Sequence, residues 1–111
     1  MVDPLFEYGA LATLRCNAIP VFYDVNADTY MPDVSNLISR ISPRTKAVIV
    51  TNVFGCAANL PAIREFCDRL KLILIEDCAH AITSKCYGKY VGTYGDIGVL
   101  SFHSSLHLSL G

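Results

Sequence analysis

The sequence has few charged residues and no excess of either sign. Charged residues make up 17% of its 111 residues, and nine Lys and Arg against ten Asp and Glu give a net charge of -1. Ordinary globular domains carry about 25% charged residues, so we expect further protein to cover part of this surface. The lack of a basic excess disfavours nucleic acid and anionic membranes as partners.

Long apolar runs are also absent, although 52% of the residues are apolar and supply enough material for one core. The longest runs, residues 21–23, 47–50 and 72–75, hold a few residues each, far fewer than the roughly 20 that span a bilayer. The first residues show no basic start followed by an apolar stretch, as a secretory signal would. We therefore expect a soluble protein of the cytoplasm that forms one domain or part of one.

The cysteines form no metal-binding or disulfide pattern. The five of them are an odd set with no C-x-x-C pair and no histidine at zinc-finger spacing. We expect no metal site and reduced, mostly buried thiols. A catalytic thiol stays open for Cys78, although no basic neighbour in sequence favours a lowered pKa. Neither G-x-G-x-x-G nor G-x-x-x-x-G-K occurs, so neither a Rossmann dinucleotide site nor a P-loop is indicated.

Short apolar runs recur along the chain and predict an α/β fold. They begin near Val21, Ala47, Leu72 and Ile97, about one βαβ repeat apart. The runs are continuously apolar instead of alternating, which is typical of a parallel sheet covered on both faces. Residues 84–96 are rich in Gly and Tyr and predict a hairpin or loop in place of a further helix.

Helical periodicity fills the intervals between these runs. The spacing of Val34 and Leu37, with Asp33 placed to cap, predicts a short helix that ends before Pro43. A second helix is predicted after Pro61, with apolar residues at 63, 66, 67 and 70. The alanines and leucines of residues 10–18 predict another helix, which ends near residues 15–17.

Polar residues that directly follow the predicted strands are the site candidates, because ligands bind beyond the carboxyl ends of strands in open parallel sheets. A buried carboxylate at Asp77 needs a donor or a cationic ligand, or else caps a helical turn at residues 78–82. His80 is either part of the site or a satisfied, half-buried histidine. The hydroxyl-rich residues 101–105 either hold a phosphate or form an ordinary loop. The remaining candidates are Asp24, Thr51, Asn52, Glu76 and His103.

Several motifs, in order and spacing, closely resemble the DegT/DnrJ/EryC1/StrS family of sugar aminotransferases. They are residues 43–49 (PRTKAVI), 54–55 (FG), 75–81 (IEDCAHA), 92–98 (GTYGDIG) and 101–103 (SFH). Upstream, residues 14–15, 18–22 and 24–25 and the aromatic Phe6 extend the resemblance over essentially the whole chain. The resemblance implies part of the large domain of a fold-type-I pyridoxal phosphate (PLP) enzyme, with a mainly parallel sheet covered by helices on both faces.

The resemblance also implies an activity and roles for single residues. Family members transfer an amino group from glutamate or glutamine to a keto group of a nucleotide-linked deoxysugar, typically as homodimers. Asp77 matches the carboxylate that pairs with the pyridine nitrogen of PLP. Phe6 matches the aromatic residue that stacks on the cofactor ring, His80 the polar residue near its phenolic oxygen, and Ser101 a phosphate-binding hydroxyl.

One position departs from the family pattern. The resemblance places the lysine that forms a Schiff base with PLP five residues after Ser101, where this chain has Leu106, and no lysine follows Lys89. A leucine can neither form that bond nor transfer the proton. The sequence also resembles only a part of the family's large domain, residues 1–111, without the upstream phosphate-binding helix start or the small C-terminal domain. We expect poor solubility from the open sheet edge that results.

Three functions therefore stay open. The chain is a segment of an aminotransferase lineage that lacks its lysine, a dehydratase-like PLP enzyme that uses His107 as the base, or a non-catalytic interaction domain on the same fold. Composition does not separate the three.

Overall fold

The computed structural model describes residues 7–102. The helices are α1 (Glu7–Arg15), α2 (Val34–Ser39) and α3 (Leu60–Leu70). The strands are β1 (Ala47–Thr51), β2 (Ile73–Asp77), β3 (Lys85–Cys86), β4 (Lys89–Tyr90) and β5 (Ile97–Val99). Within this part of the chain, no helix is long and apolar enough to span a membrane.

The predicted helices form where capping and periodicity place them. The Asp33 side chain caps α2 by accepting hydrogen bonds from the backbone N–H groups of Ser35 and Asn36. Hydrogen bonding, above all with the Ser35 side chain, lowers the pKa of the Asp33 carboxyl. Pro61 lies in the first turn of α3, where its missing N–H costs nothing. α3 ends where Lys71 adopts a left-handed conformation with φ 55°.

Between residues 7 and 102, the main sheet has three strands in the order β1-β2-β5, and both pairs are parallel. Ile49 of β1 pairs with Ile75 of β2, and Ile75 pairs in turn with Ile97 of β5. The prediction of an α/β fold with a mainly parallel sheet is confirmed. β3 and β4 form an antiparallel hairpin within the segment for which the sequence predicts a hairpin or loop.

The two faces of the main sheet differ in burial. One face carries Val48, Val50, Leu74 and Glu76, all fully buried, and α3 packs its own buried residues into the same core, namely Leu60, Ile63, Phe66 and Cys67. The opposite face carries Ile49 and Ile75, which are partly buried, and Ile73, which is exposed. Within the described residues, the face away from α3 is therefore the less covered of the two.

The apolar run at residues 21–23 forms no strand longer than one residue, which corrects the strand predicted there, and Phe22 alone makes a β-bridge. Val21 and Phe22 are exposed, whereas Tyr23 is buried and its hydroxyl donates to the carbonyl of Ile49 at 2.8 Å. The Tyr23 side chain thus joins the segment to β1, and the segment is not part of the three-stranded sheet. Strand pairing depends on a tertiary neighbour, which a three-residue apolar run does not specify.

A groove of about 310 Å³ lies between this segment and β1. Its lining includes Ile19, Val21, Lys46, Ala47 and Ile49. Because Lys46 and Ala47 stand at the amino end of β1, the groove extends away from the strand ends where the candidate site residues lie.

An ion-pair network ties α3 to the sheet. The Asp96 carboxylate accepts the backbone N–H of Leu74 at 2.8 Å and a guanidinium N–H of Arg64 at 2.9 Å. The second guanidinium nitrogen of Arg64 lies 2.7 Å from Asp68. Hydrogen bonding to Arg64 lowers the pKa of Asp96. The segment that leads into β5 is thereby fixed to β2.

Candidate functional site

The carboxyl ends of the three parallel strands form one edge of the sheet, where the sequence predicts a ligand site. The register pairs Asp77 with Thr51 of β1 and with Val99 of β5. Two backbone bonds continue past the strand ends. The N–H of Asn52 donates to the carbonyl of Asp77 at 2.8 Å, and the N–H of Cys78 donates to the carbonyl of Val99 at 2.8 Å. The chain therefore leaves all three strands at the same level.

Asp77 is half-buried and lies on the face of the sheet away from α3. Its Oδ1 atom accepts the N–H of Ala79 at 3.1 Å, while no donor within residues 7–102 contacts Oδ2. The residues after it form a turn and no helix, so the predicted capping alternative amounts to one hydrogen bond within that turn. As far as the described residues go, one carboxylate oxygen is thus left for a ligand.

His80 and Ser101 lie at the same edge as Asp77. His80 is half-buried in the turn after β2, and its carbonyl accepts the N–H of Gly55 at 3.0 Å. This bond joins the turn after β2 to the loop after β1. Ser101 is half-buried and comes two residues after the end of β5.

The structure therefore brings half of the six predicted site residues to one edge of the sheet. The other three lie outside the described residues: Phe6, Leu106 and His107.

Glu76 belongs to the structural framework and not to the ligand edge, although it stands beside Asp77 among the sequence candidates. Its carboxylate is fully buried on the α3 face. Oε2 accepts the N–H of Gly92 at 2.7 Å, and Oε1 accepts the N–H groups of Tyr94, at 2.7 Å, and Gly95. Successive residues of a strand point to opposite faces, so this alternation is the signal that separates the roles of the two neighbouring carboxylates.

Comparison with known proteins identifies the fold and its lineage. The model of the DegT/DnrJ/EryC1/StrS aminotransferase family matches residues 6–111. This chain belongs to that family. GDP-perosamine synthase from Vibrio cholerae is 34% identical over 100% of this chain and 31% of its own length. UDP-N-acetyl-3-dehydro-alpha-D-glucosamine 3-aminotransferase from Acidithiobacillus ferrooxidans is 38% identical over 97% of this chain and 30% of its own.

Solved structures of aminotransferases share the fold. The aminotransferase from Psychrobacter cryohalolentis superposes with a TM-score of 0.94 and 26% identity over 99% of this chain and 28% of its own. This DegT/DnrJ/EryC1/StrS chain thus spans about a third of the length of these relatives. The predicted membership in the family and the fold-type-I architecture are confirmed.

The hydrogen-bonding groups at this edge match those that PLP, the cofactor of the family, requires. The cofactor carries a protonated ring nitrogen and an anionic phosphate, which need an acceptor and hydroxyl or N–H donors respectively. Asp77 offers a carboxylate oxygen with no donor on it in residues 7–102, and Ser101 supplies a hydroxyl at the neighbouring strand end. The described residues thus present both kinds of group on one edge.

The Cys78 thiol does not act as a nucleophile at this site. The thiol is fully buried, accepts an N–H of the Asn52 side chain at 3.5 Å and lies in the core with Val50. Burial raises the pKa of Cys78 to about 12, so the thiol is neutral at ordinary pH. The catalytic-thiol alternative from the sequence therefore finds no support in the geometry.

Asn52 has a structural part at the same edge. Its side chain is fully buried, and its Oδ1 atom accepts the N–H of Ala58 at 3.0 Å while its Nδ2 atom donates to the sulfur of Cys78. These bonds fix the loop between β1 and α3 to the turn after β2. Asn52 thus joins two segments that border the ligand edge.

Proposed function

We propose that this chain is the cofactor-holding part of a PLP-dependent aminotransferase lineage that acts on nucleotide-linked keto sugars. The observation that carries the proposal is the Asp77 carboxylate, which has one unengaged oxygen among residues 7–102 and lies at the strand end beside His80 and Ser101. The names of two relatives, a GDP-perosamine synthase and a UDP-N-acetyl-dehydroglucosamine aminotransferase, support a nucleotide-linked sugar as the substrate class.

When bound, PLP supplies the electron sink for amino-group transfer. Asp77 would hold the ring nitrogen protonated by accepting its hydrogen bond, because a carboxylate favours the charged form of a partner. Ser101 would donate its hydroxyl to the phosphate, and His80 would lie near the phenolic oxygen. The family pattern assigns the ring face to Phe6, which lies outside the described residues. These roles follow the family pattern at matching positions of this chain.

Leu106 changes what the chain does with the cofactor. Its side chain has no nitrogen, so it neither links the cofactor covalently nor moves a proton. We propose that PLP is held by hydrogen bonds and stacking alone and that amino-group transfer by this chain is lost. We propose further that residues 1–111 are part of the large domain of a cytoplasmic homodimer that uses glutamate or glutamine as the donor. The one-third coverage of the relatives supports a partial domain.

The absorbance spectrum of the purified chain after mixing with PLP and desalting tests this function. We expect a retained visible band and, after borohydride reduction, no covalent mass gain at residue 106 by peptide mapping. The Asp77→Asn variant removes the charge at nearly constant shape and should lose at least about tenfold in PLP affinity. Glu65→Gln, at an exposed carboxylate of α3, is the matched control and should change nothing.

A gain-of-function variant separates the alternatives. Leu106→Lys should acquire a borohydride-fixed PLP at residue 106, because an amine then stands at the family position. No retained band in either protein would contradict the proposal and favour a non-catalytic domain. Turnover of a keto sugar by the unaltered chain that is lost in His107→Ala would favour the dehydratase-like function instead.

A further inference from the structure

Two exposed aromatic side chains meet next to the candidate site. The rings of Tyr30 and Phe54 lie edge to face, with centroids 6.4 Å apart and an interplanar angle of 83°. Tyr30 is 52% exposed and Phe54 is 68% exposed. Burial does not explain this pair, because large apolar rings gain most from being removed from water. The two rings form an open corner toward solvent.

Phe54 occupies a turn position that is unfavourable for an aromatic residue. The N–H of Cys56 donates to the carbonyl of Val53 at 2.8 Å, and the central residues Phe54 and Gly55 both have positive φ, 54° and 76°. This is the pattern of a type I′ turn, whose first central position favours Asn, Asp or Gly. An aromatic residue there carries a conformational cost, and such outliers cluster at ligand-binding sites.

Tyr30 is also held in a left-handed conformation, with φ 57°. Its N–H donates to the carbonyl of Asn26 at 2.8 Å, and the N–H of Asn26 donates to the carbonyl of Met31 at 2.8 Å. The Asn26 side chain also accepts the N–H groups of Asp28 and Thr29. The loop that presents the Tyr30 ring is thus fixed by its own hydrogen bonds and needs little ordering when a ligand binds.

The corner adjoins the edge that carries Asp77. Gly55, next to Phe54, donates its N–H to the carbonyl of His80 at 3.0 Å, and its own carbonyl accepts the hydroxyl of Ser84 at 2.6 Å. Phe54 is therefore connected through one residue to the turn that follows β2. A ligand that extends from that edge over the loop after β1 would reach the two rings.

We propose that Tyr30 and Phe54 form a stacking platform for the nucleobase of the nucleotide-linked sugar. This inference rests on the proposed function and adds the recognition of the base to it. A nucleobase is the flat π-system of such a substrate, and stacking on aromatic side chains tolerates any base while contributing strongly to affinity. Tyr30 and Phe54 then bind any base, and other residues distinguish one base from another.

Saturation-transfer NMR on the unaltered chain with UMP, GMP and dTMP as probes tests the platform. We expect saturation of the base protons and a dissociation constant that rises at least about fivefold in Tyr30→Leu combined with Phe54→Leu, which keep bulk without a π face. Tyr30→Phe combined with Phe54→Tyr keeps both rings and should bind as the unaltered chain does. Circular dichroism and thermal melts confirm that each variant folds.

Tyr87 provides a matched control variant. It is 86% exposed with φ 45° and precedes Gly88 in the turn between β3 and β4, so it reproduces the exposure and the backbone conformation of Phe54 but is not part of the Tyr30–Phe54 ring contact. Tyr87→Leu should leave nucleotide binding unchanged. A loss of binding in Tyr87→Leu equal to that in the platform variant would overturn the inference.

Other outcomes overturn the platform and leave the proposed function standing. They are unchanged nucleotide binding in the leucine double variant, no binding of any probe by the unaltered chain, and a switch from dimer to monomer with binding unchanged, which would make the corner a subunit contact. PLP retention is measured on the same samples. If the PLP band is retained and the variants bind nucleotides as the unaltered chain does, the platform alone is rejected. If the band is lost but the leucine double variant binds nucleotides more weakly, the cofactor function alone is rejected.

Discussion

Glu76 and Asp77 are chemically alike, adjacent in sequence and opposite in role. Among residues 7–102, the Glu76 carboxylate meets only backbone donors, the N–H groups of Gly92, Tyr94 and Gly95, whereas Asp77 keeps an oxygen toward the edge. A fully buried carboxylate with this many donors stabilises a loop that has little regular structure of its own. The Glu76 side chain therefore holds three residues of the segment between β4 and β5, in addition to the Asp96 network that joins this segment to β2.

Replacing Glu76 with Gln should therefore destabilise the chain although the shape is kept. The amide nitrogen would face one of the backbone N–H groups, leaving a buried donor unpaired at a cost of about 1–3 kcal/mol, and Glu76→Ala should cost at least about 3 kcal/mol. Urea unfolding followed by circular dichroism measures both. Glu65→Gln on the exposed side of α3 is the control. A midpoint for Glu76→Gln equal to that of the control would contradict this account.

The five thiols should fall into two reactivity groups. Cys16 and Cys56 are exposed, whereas Cys67, Cys78 and Cys86 are buried. Burial raises the pKa of Cys67 to about 11 and that of Cys78 to about 12, so both stay protonated and unreactive near pH 8.

With Ellman's reagent near pH 8, we expect fast colour from the two exposed thiols and the remainder only after denaturation. Cys16→Ser combined with Cys56→Ser should abolish the fast phase. A fast phase that persists in this double variant would show that a buried thiol is accessible.

At the scale of elements, β5 depends on a close approach between two glycines. A Cβ atom on Gly98 would lie 2.3 Å from the carbonyl oxygen of Gly92, and one on Gly95 would lie 2.7 Å from that of Leu74. Both contacts are with backbone, which cannot rotate away as a flexible side chain could. The parallel pairing of β5 with β2 needs these residues to lack side chains.

Gly98→Ala should therefore destabilise by more than about 2 kcal/mol or displace β5 from the sheet. Gly88→Ala isolates the other source of glycine preference, because its φ is 81° and a Cβ atom added there would meet no atom within 4 Å; it should cost only about 1 kcal/mol. Thermal melts and amide exchange at residues 97–99 report the two effects. Equal losses in the two variants would show that backbone conformation, and not the contact with Gly92, sets the requirement.

Elements with a complete local signal were predictable from the sequence. α3 has Pro61 in its first turn and buries Ile63, Phe66 and Cys67 at the predicted spacing. The run at residues 21–23 has the apolar character of a strand but lacks a ladder partner among the described strands, and pairing is a tertiary property. The same limit applies to the site, where Tyr30 and Phe54 meet although they are far apart in sequence, and no sequence pattern announces the contact.

At the scale of the whole molecule, apolar side chains line surfaces that the fold leaves open. None of the residues of α1 is buried, and Leu11 and Leu14 are 47% and 55% exposed. Ile97 and Val99 are 50% and 47% exposed on β5, which is an end strand among the three described strands of the main sheet. Apolar strands at a sheet end favour pairing with another chain, in keeping with the low charge of the sequence.

The purified chain should therefore self-associate, and the association should depend on β5. Sedimentation velocity should show the average mass rising with concentration for the unaltered chain, and Ile97→Lys should shift it toward the monomer, because a lysine on an end strand opposes edge-to-edge pairing. Ile38→Lys is the matched control, since Ile38 is 45% exposed but lies on α2. If both lysine variants reduced association equally, general surface charge would be the cause. If neither did, the chain would associate through a different surface, of which the groove beside β1 and the faces of α1 are the next to test.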